Sequence, residues 1–235
     1  MSAASETGSI GAHLAEIRAR IEKAAAACGR DPSSITLVAV SKTKPVEAIR
    51  EAYQAGQRIF GENYAQELAT KAEALADLLD IKWHFIGHLQ SNKAKLVAAH
   101  AHLVHALDTP GTARELARRV QLYNRPRLAV MLEVNVAGET AKHGVPPQEI
   151  EDLLASVATF PELEAVGLMT MPPAGDLEAA RSVFAALVSL RNLHGGQARL
   201  PCLSMGMSDD LEIAIAEGAT HVRVGSAIFG ERTKA

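Results

Sequence analysis

Apolar and polar positions along this chain follow two rhythms. From about Ile10 to Ala27, Leu14, Ile17, Ile21 and Ala24 or Ala25 recur every third or fourth position. That is the stripe of an amphipathic helix, and Gly29 follows as a plausible C-cap. Beyond it, short apolar runs rich in β-branched residues interrupt longer helical patterns. The runs are ITLVAV (35–40), RIFG (58–61), WHFIG (83–87), LVHAL (103–107), RLAVMLEV (127–134), AVGLM (165–169), CLSM (202–205) and HVRVG (221–225). Between them the spacing predicts helices near 46–54, 63–79, 92–100, 111–122, 147–157, 176–192 and 208–216. Two helix starts carry capping chemistry: Thr109 before Pro110, and Ser208 before Asp209, Asp210 and Leu211.

Strand-length runs joined throughout by helices predict parallel βα units, and eight of them close a (β/α)8 barrel. An open doubly wound sheet carries a glycine-rich loop after its first strand. Here that loop is SKTKP (41–45), without glycine. The expected fold is an α/β TIM barrel with an additional N-terminal helix. It is expected to form one domain over 1–235 with its core at about 35–230.

Composition narrows the function classes. With 48% hydrophobic and 22% charged residues the chain can fill a core and is not disordered. A formal net charge of -3, with Lys and Arg scattered rather than striped, argues against a nucleic-acid partner. Cys28 and Cys202 have no metal-binding spacing and suit a reducing compartment. The opening MSAASETGSI lacks the basic and apolar regions of a signal peptide, and no apolar stretch is long enough to span a bilayer. The expectation is a cytoplasmic protein without a membrane partner.

In a barrel, chemistry gathers at the C-terminal ends of the strands. Lys42 stands where ITLVAV breaks off, a position suited to an amine that forms a Schiff base with an aldehyde. The competing reading is a surface lysine in a loop that also contains Lys44. The loops after strands seven and eight usually hold phosphate, and there Gly206 and Gly225 permit close backbone approach while Ser204 and Ser226 offer hydroxyls. Two ordinary turns with capping serines would read the same. Arg223 lies inside HVRVG on the face shared by His221 and Gly225, either toward a ligand or in a structural ion pair. Asn63 could bond a ligand ring or cap a helix. A lysine, a phosphate cradle and an inward arginine together suit pyridoxal phosphate.

The remaining candidates are mostly structural. Trp83 and Phe85 are expected in the core, His84 in the interior and His88 at the mouth. Strand alternation puts His102 and His105 on opposite faces, against a metal shared with His100. Met169, Met171, Met205 and Met207 offer soft packing for a flat ring.

The segments VAVSKTKP, FGENYAQE, WHFIGHLQSNK, GLMTM, LSMGMSDDLEIAIAEGAT and VRVGSAIFG, spread over nearly all of 35–230, closely resemble the pyridoxal phosphate homeostasis protein family, also called the YggS or PROSC family. The resemblance implies a barrel like the N-terminal domain of alanine racemase, with pyridoxal 5′-phosphate (PLP) held as a Schiff base on Lys42. It further implies Arg223 as partner of the ring nitrogen, Ser204, Gly225 and Ser226 around the phosphate, and Asn63 and Met205 as further pocket residues. The family's role is intracellular PLP homeostasis without an established turnover, with PLP-dependent apoenzymes as possible recipients and a monomer or weak homodimer as the assembly. An arginine beside the ring nitrogen disfavours its protonation and weakens the ring as an electron sink. The sequence also ends soon after the eighth strand, without the β-rich second domain of the racemases, and neither Tyr64 nor Tyr123 stands in for that domain's catalytic tyrosine. A PLP-holding protein is therefore expected ahead of a PLP-dependent amino-acid racemase or a cofactor-free Schiff-base aldolase.

Overall fold

The computed structural model describes residues 8–139 and 143–231, so residues 1–7, part of the NVAGETAKHG loop (140–142) and the last four residues of GERTKA lie outside the described residues. Helix α1 (Ile10–Ala27) comes first. The strands are β1 (Thr36–Val40), β2 (Ile59–Glu62), β3 (Lys82–Phe85), β4 (Leu103–Leu107), β5 (Leu128–Glu133), β6 (Leu163–Met169), β7 (Cys202–Ser204) and β8 (His221–Val224). Connecting them are α2 (Val46–Gln54), α3 (Ala65–Ala74), α4 (Ala94–His100), α5 (Pro110–Leu122), α6 (Ile150–Ala158), α7 (Leu177–Leu193), α8 (Gly196–Arg199) and α9 (Leu211–Glu217), with α10 (Ser226–Phe229) after β8.

All eight strands are parallel and hydrogen-bond in chain order into a closed barrel. The seam pairs β8 with β1, from Thr36 opposite His221 to Ala39 opposite Val224. This is the (β/α)8 architecture that the alternating pattern predicts. Closure leaves no open sheet edge and directs all eight strand ends to one mouth.

The main core lies between barrel and helices: Ala39, Phe60, Val104, Leu132, Leu168, Leu203 and Val224 from the strands meet Ile49, Leu68, Leu116, Leu154 and Phe184 from the helices. Burying one such side chain contributes roughly 1.5–3 kcal/mol. Thr109 caps α5 as expected, its Oγ1 accepting the Thr112 N–H at 3.2 Å. Ser208 does not cap α9. Asp210 occupies that N-cap, and its carboxylate accepts the Met207 N–H at 2.6 Å, so residues 208–210 form a turn before the helix. The expected GSAIFG loop likewise contains the short α10.

Helix α1 buries Leu14, Ile17, Ile21 and Ala25 and packs on α2, α9 and α10. Arg20 forks onto Glu212 at 2.7 and 2.9 Å and donates to the Ser208 carbonyl at 2.8 Å. His13 Nδ1 reaches the Ile228 carbonyl at 3.0 Å. The helix therefore braces, from outside, the loops that follow β7 and β8.

Candidate functional site

Lys42 sits between two fixed residues. Ser41 is buried and donates from Oγ to Glu62 Oε1 at 2.6 Å. Lys71, also buried, donates to the same oxygen at 2.8 Å, to the Ser41 carbonyl at 2.8 Å and to Glu67 Oε2 at 2.7 Å. Glu67 in turn accepts the N–H of Thr43 at 2.8 Å. Thr43 has φ 64°, a left-handed conformation that costs a non-glycine residue roughly 1–2 kcal/mol. The Glu67 hydrogen bond holds it there. Burial pushes the Glu62 carboxyl up, opposed by Lys71 and Ser41. For Glu67 burial acts the same way, but hydrogen bonds from Lys71 and Thr43 outweigh it and hold the carboxyl below its usual value. Lys44 ties the far end of the loop to the end of α10, donating to the carbonyls of Gly230 and Glu231 at 2.9 and 2.8 Å.

Arg223 is fixed differently. It is buried, donating from Nη1 to Ser204 Oγ at 2.6 Å and from Nη2 to the Thr170 carbonyl at 3.1 Å. Burial pushes its pKa down to about 10, with Glu133 and Asp210 opposing. Ser204 Oγ also lies 2.7 Å from His105 Nδ1, and His105 Nε2 lies 3.0 Å from His84 Nδ1. The His221 ring stands 5.6 Å from His105 and 5.9 Å from His84. Because β3 and β4 are not neighbours of β8, these contacts cross the barrel lumen. Burial lowers the pKa of all three imidazoles, His221 to about 4, so near neutral pH they are uncharged. Arg223 thus keeps its charge with neutral hydrogen-bond partners, while Glu133 and Asp210 act on it through their charge alone.

Lys42 and Arg223 line one cavity of about 250 Å³ at the mouth. Its wall continues through Asn63 and Ile86, Met171, the Met207–Ser208–Asp209 turn, and Gly225 with Ser226. At Gly225 an added Cβ would sit 3.3 Å from the Val40 Cβ and carbonyl oxygen, so the chain passes close there for want of a side chain. The Asn63 Oδ1 is buried without a hydrogen-bond partner. The set is therefore an amine, a guanidinium, hydroxyls and an unsatisfied amide oxygen around an apolar wall.

Residues 12–233 match the family described as alanine racemase, N-terminal domain. The chain is 48% identical over 225 residues to a pyridoxal phosphate homeostasis protein of Pseudomonas aeruginosa, covering 95% of this chain and 96% of that protein. The Escherichia coli protein of the same name is 44% identical, with 94% and 95% covered. The chain belongs to the pyridoxal phosphate homeostasis protein family. Among solved structures, PipY of Synechococcus elongatus with PLP bound superposes with a TM-score of 0.80 at 36% identity, covering 94% of this chain and all of PipY.

In this member of the pyridoxal phosphate homeostasis proteins, Lys42, Asn63, Arg223, Gly225 and Ser226 converge on the cavity as the motifs suggest. Ser204 and Met205 do not line it. Ser204 faces the lumen and holds Arg223, while Met205 is fully buried in the outer core with Leu203. Successive strand residues point to opposite faces, which separates the two. Of the four methionines, Met171 and Met207 line the cavity, while Met169 and Met205 are buried away from it. Sequence reasoning missed Ser208 as a lining residue, the Glu62–Lys71–Glu67 network and the Ser204–His105–His84 chain. A signal existed for Lys71: it lies three residues after Leu68 and four before Leu75, on the buried stripe of α3. Among the described residues no helix is long and apolar enough to cross a membrane.

Proposed function

We propose that this chain binds pyridoxal 5′-phosphate at the barrel mouth and serves in PLP homeostasis by holding and releasing it. The observation that carries this reading is that Lys42 and Arg223 face the same cavity, with Gly225, Ser226 and the 207–209 turn on its wall. The residues fit the group: PLP supplies an aldehyde for an amine, a phosphate for donors and a flat ring with one nitrogen. Lys42 forms the Schiff base and Arg223 faces the ring nitrogen. Ser226 and the backbone at Gly225 take the phosphate, and Asn63 contacts the ring.

Ser204 acts one step back, by aiming Arg223, and Met205 supports that wall from the core. Arg223 has a hydroxyl and a carbonyl as hydrogen-bond acceptors, so its positive charge disfavours a second positive charge on the ring. That favours retention over carbanion chemistry. The reading includes one PLP-binding domain over 1–235 with its core at about 35–230, a cytoplasmic setting, a monomer or weak homodimer, and PLP-dependent apoenzymes as recipients.

The test is spectroscopic. The purified chain is expected to be yellow, and borohydride followed by peptide mass analysis is expected to fix PLP on Lys42. Lys42→Ala is expected to lose the colour. A colourless chain, or PLP trapped on another lysine, overturns the site. Robust exchange of L-alanine to its enantiomer by the isolated chain overturns the holding role.

A further inference from the structure

On the β3–β5 side of the mouth stands a cluster that the PLP reading leaves unused. His88 follows β3, Asp108 follows β4 and His143 follows β5, so three consecutive strand ends each contribute one side chain. One ligand atom from each lies within 4.8 Å of the other two. His88 Nδ1 is 3.3 Å from Asp108 Oδ2. Two ligands at about 2.0–2.1 Å from a tetrahedral ion are roughly 3.3–3.4 Å apart, so this pair already spans one edge of such a site.

A second feature points the same way. The Asp108 side chain is 8% exposed, and its Oδ1 is buried with no hydrogen-bond partner. A carboxylate oxygen withdrawn from water without a partner is costly. An ion pair between His88 and Asp108 alone would engage Oδ2 and leave Oδ1 as it is, whereas a cation held by both carboxylate oxygens would satisfy Oδ1 as well. His143 stacks on His88 at 3.7 Å with 9° between the planes. An imidazole binds a metal in its own ring plane, so His143 turns out of this stack to bring its nitrogen to the same ion as His88.

We propose that His88, Asp108 and His143 form a binding site for a zinc-class divalent cation, with at least one coordination position open to the barrel mouth. Two imidazole nitrogens and a carboxylate oxygen are the donor set of open zinc sites, and imidazole donors discriminate against magnesium. The site does not depend on PLP. Its residues are separate from Lys42 and Arg223, so either reading can fail alone.

The experiment titrates the chelator-treated full chain with Zn²⁺ by calorimetry, with Mg²⁺ in parallel, and follows the histidine rings by nitrogen-detected NMR. One Zn²⁺ per chain is expected, with no comparable Mg²⁺ uptake, and with shifts at His88 and His143 but not at His84, His105 or His221. His88→Ala and His143→Ala, both at exposed positions, are each expected to weaken binding by about tenfold or more with the fold intact by circular dichroism. Lys42→Ala is expected to bind Zn²⁺ unchanged. Absence of uptake overturns the proposal. So does uptake that survives both histidine substitutions, or that disappears in Cys28→Ser, where the exposed thiol would be the ligand.

Discussion

Two buried polar networks support the mouth, and they are made of opposite materials. Beneath Lys42 the Glu62–Lys71–Glu67 group is built of charges, and beneath Arg223 the Ser204–His105–His84 chain is built of neutral groups. The difference follows from what each must hold. Lys42 sits on a loop with a strained neighbour, and ionic hydrogen bonds are strong enough to pin that loop. Arg223 is already placed by its strand, and a carboxylate in direct contact would cancel the charge that it presents to the cavity. Neutral acceptors fix its direction and leave that charge in place.

The largest expected effect tests the charged half. Lys71→Ala strands the Glu62 carboxylate in the core and is expected to lose about 3–5 kcal/mol in urea unfolding. The double substitution Glu62→Leu with Lys71→Met is expected to recover most of it. A loss below about 1 kcal/mol for the single variant would mean that the network is not an anchor.

The neutral half predicts a pH dependence. The pKa of His221 is about 4 in the folded chain against 6.5 unfolded, so the unfolded state binds the proton first as pH falls. Its contribution is intact above 6.5 and is lost between 6.5 and 4, by about 3 kcal/mol. His221→Gln is expected to remove that part of the slope. Burial raises the Glu62 and Glu133 carboxyls, the latter to about 7, and they act in the opposite sense in both proteins, so the difference curve reports His221. Identical curves would place the acid sensitivity elsewhere.

Ser204→Ala gives the smallest change. It removes the acceptor of Arg223 Nη1 and the partner of His105, for an expected loss of about 1.5–3 kcal/mol. Combined with Lys71→Ala it is expected to add within about 0.5 kcal/mol, as separate networks should. A larger coupling would join the two halves into one.

The barrel was legible because parallel strands buried on both sides read as continuous apolar runs, and each is followed by a helical period. Lys42 and Arg223 were legible because the strand ends locate the mouth. Ser204 was read as a phosphate donor from its place at a strand end. In the fold it bonds His105 and Arg223, 99 and 19 residues away, the first across the closed lumen and the second on the neighbouring strand β8. Lys71 was passed over because a lysine on a helix is usually solvated, and only the fold brings two glutamates to it. Ser208 followed a capping pattern that Asp210 takes over, since the chain turns once more before α9 begins.

Helix α1 has a consequence for the order of assembly. Its bonds to Ser208, Glu212 and Ile228 span about two hundred residues, and the seam it covers joins the first strand to the last. Contacts so distant along the chain close late and slowly. During synthesis α1 can meet α2 early, but the rest of its apolar stripe stays uncovered until α9, β8 and α10 have emerged. Its full seating depends on the same C-terminal elements that close the β8–β1 seam, so the first helix and the last strand complete the mouth together.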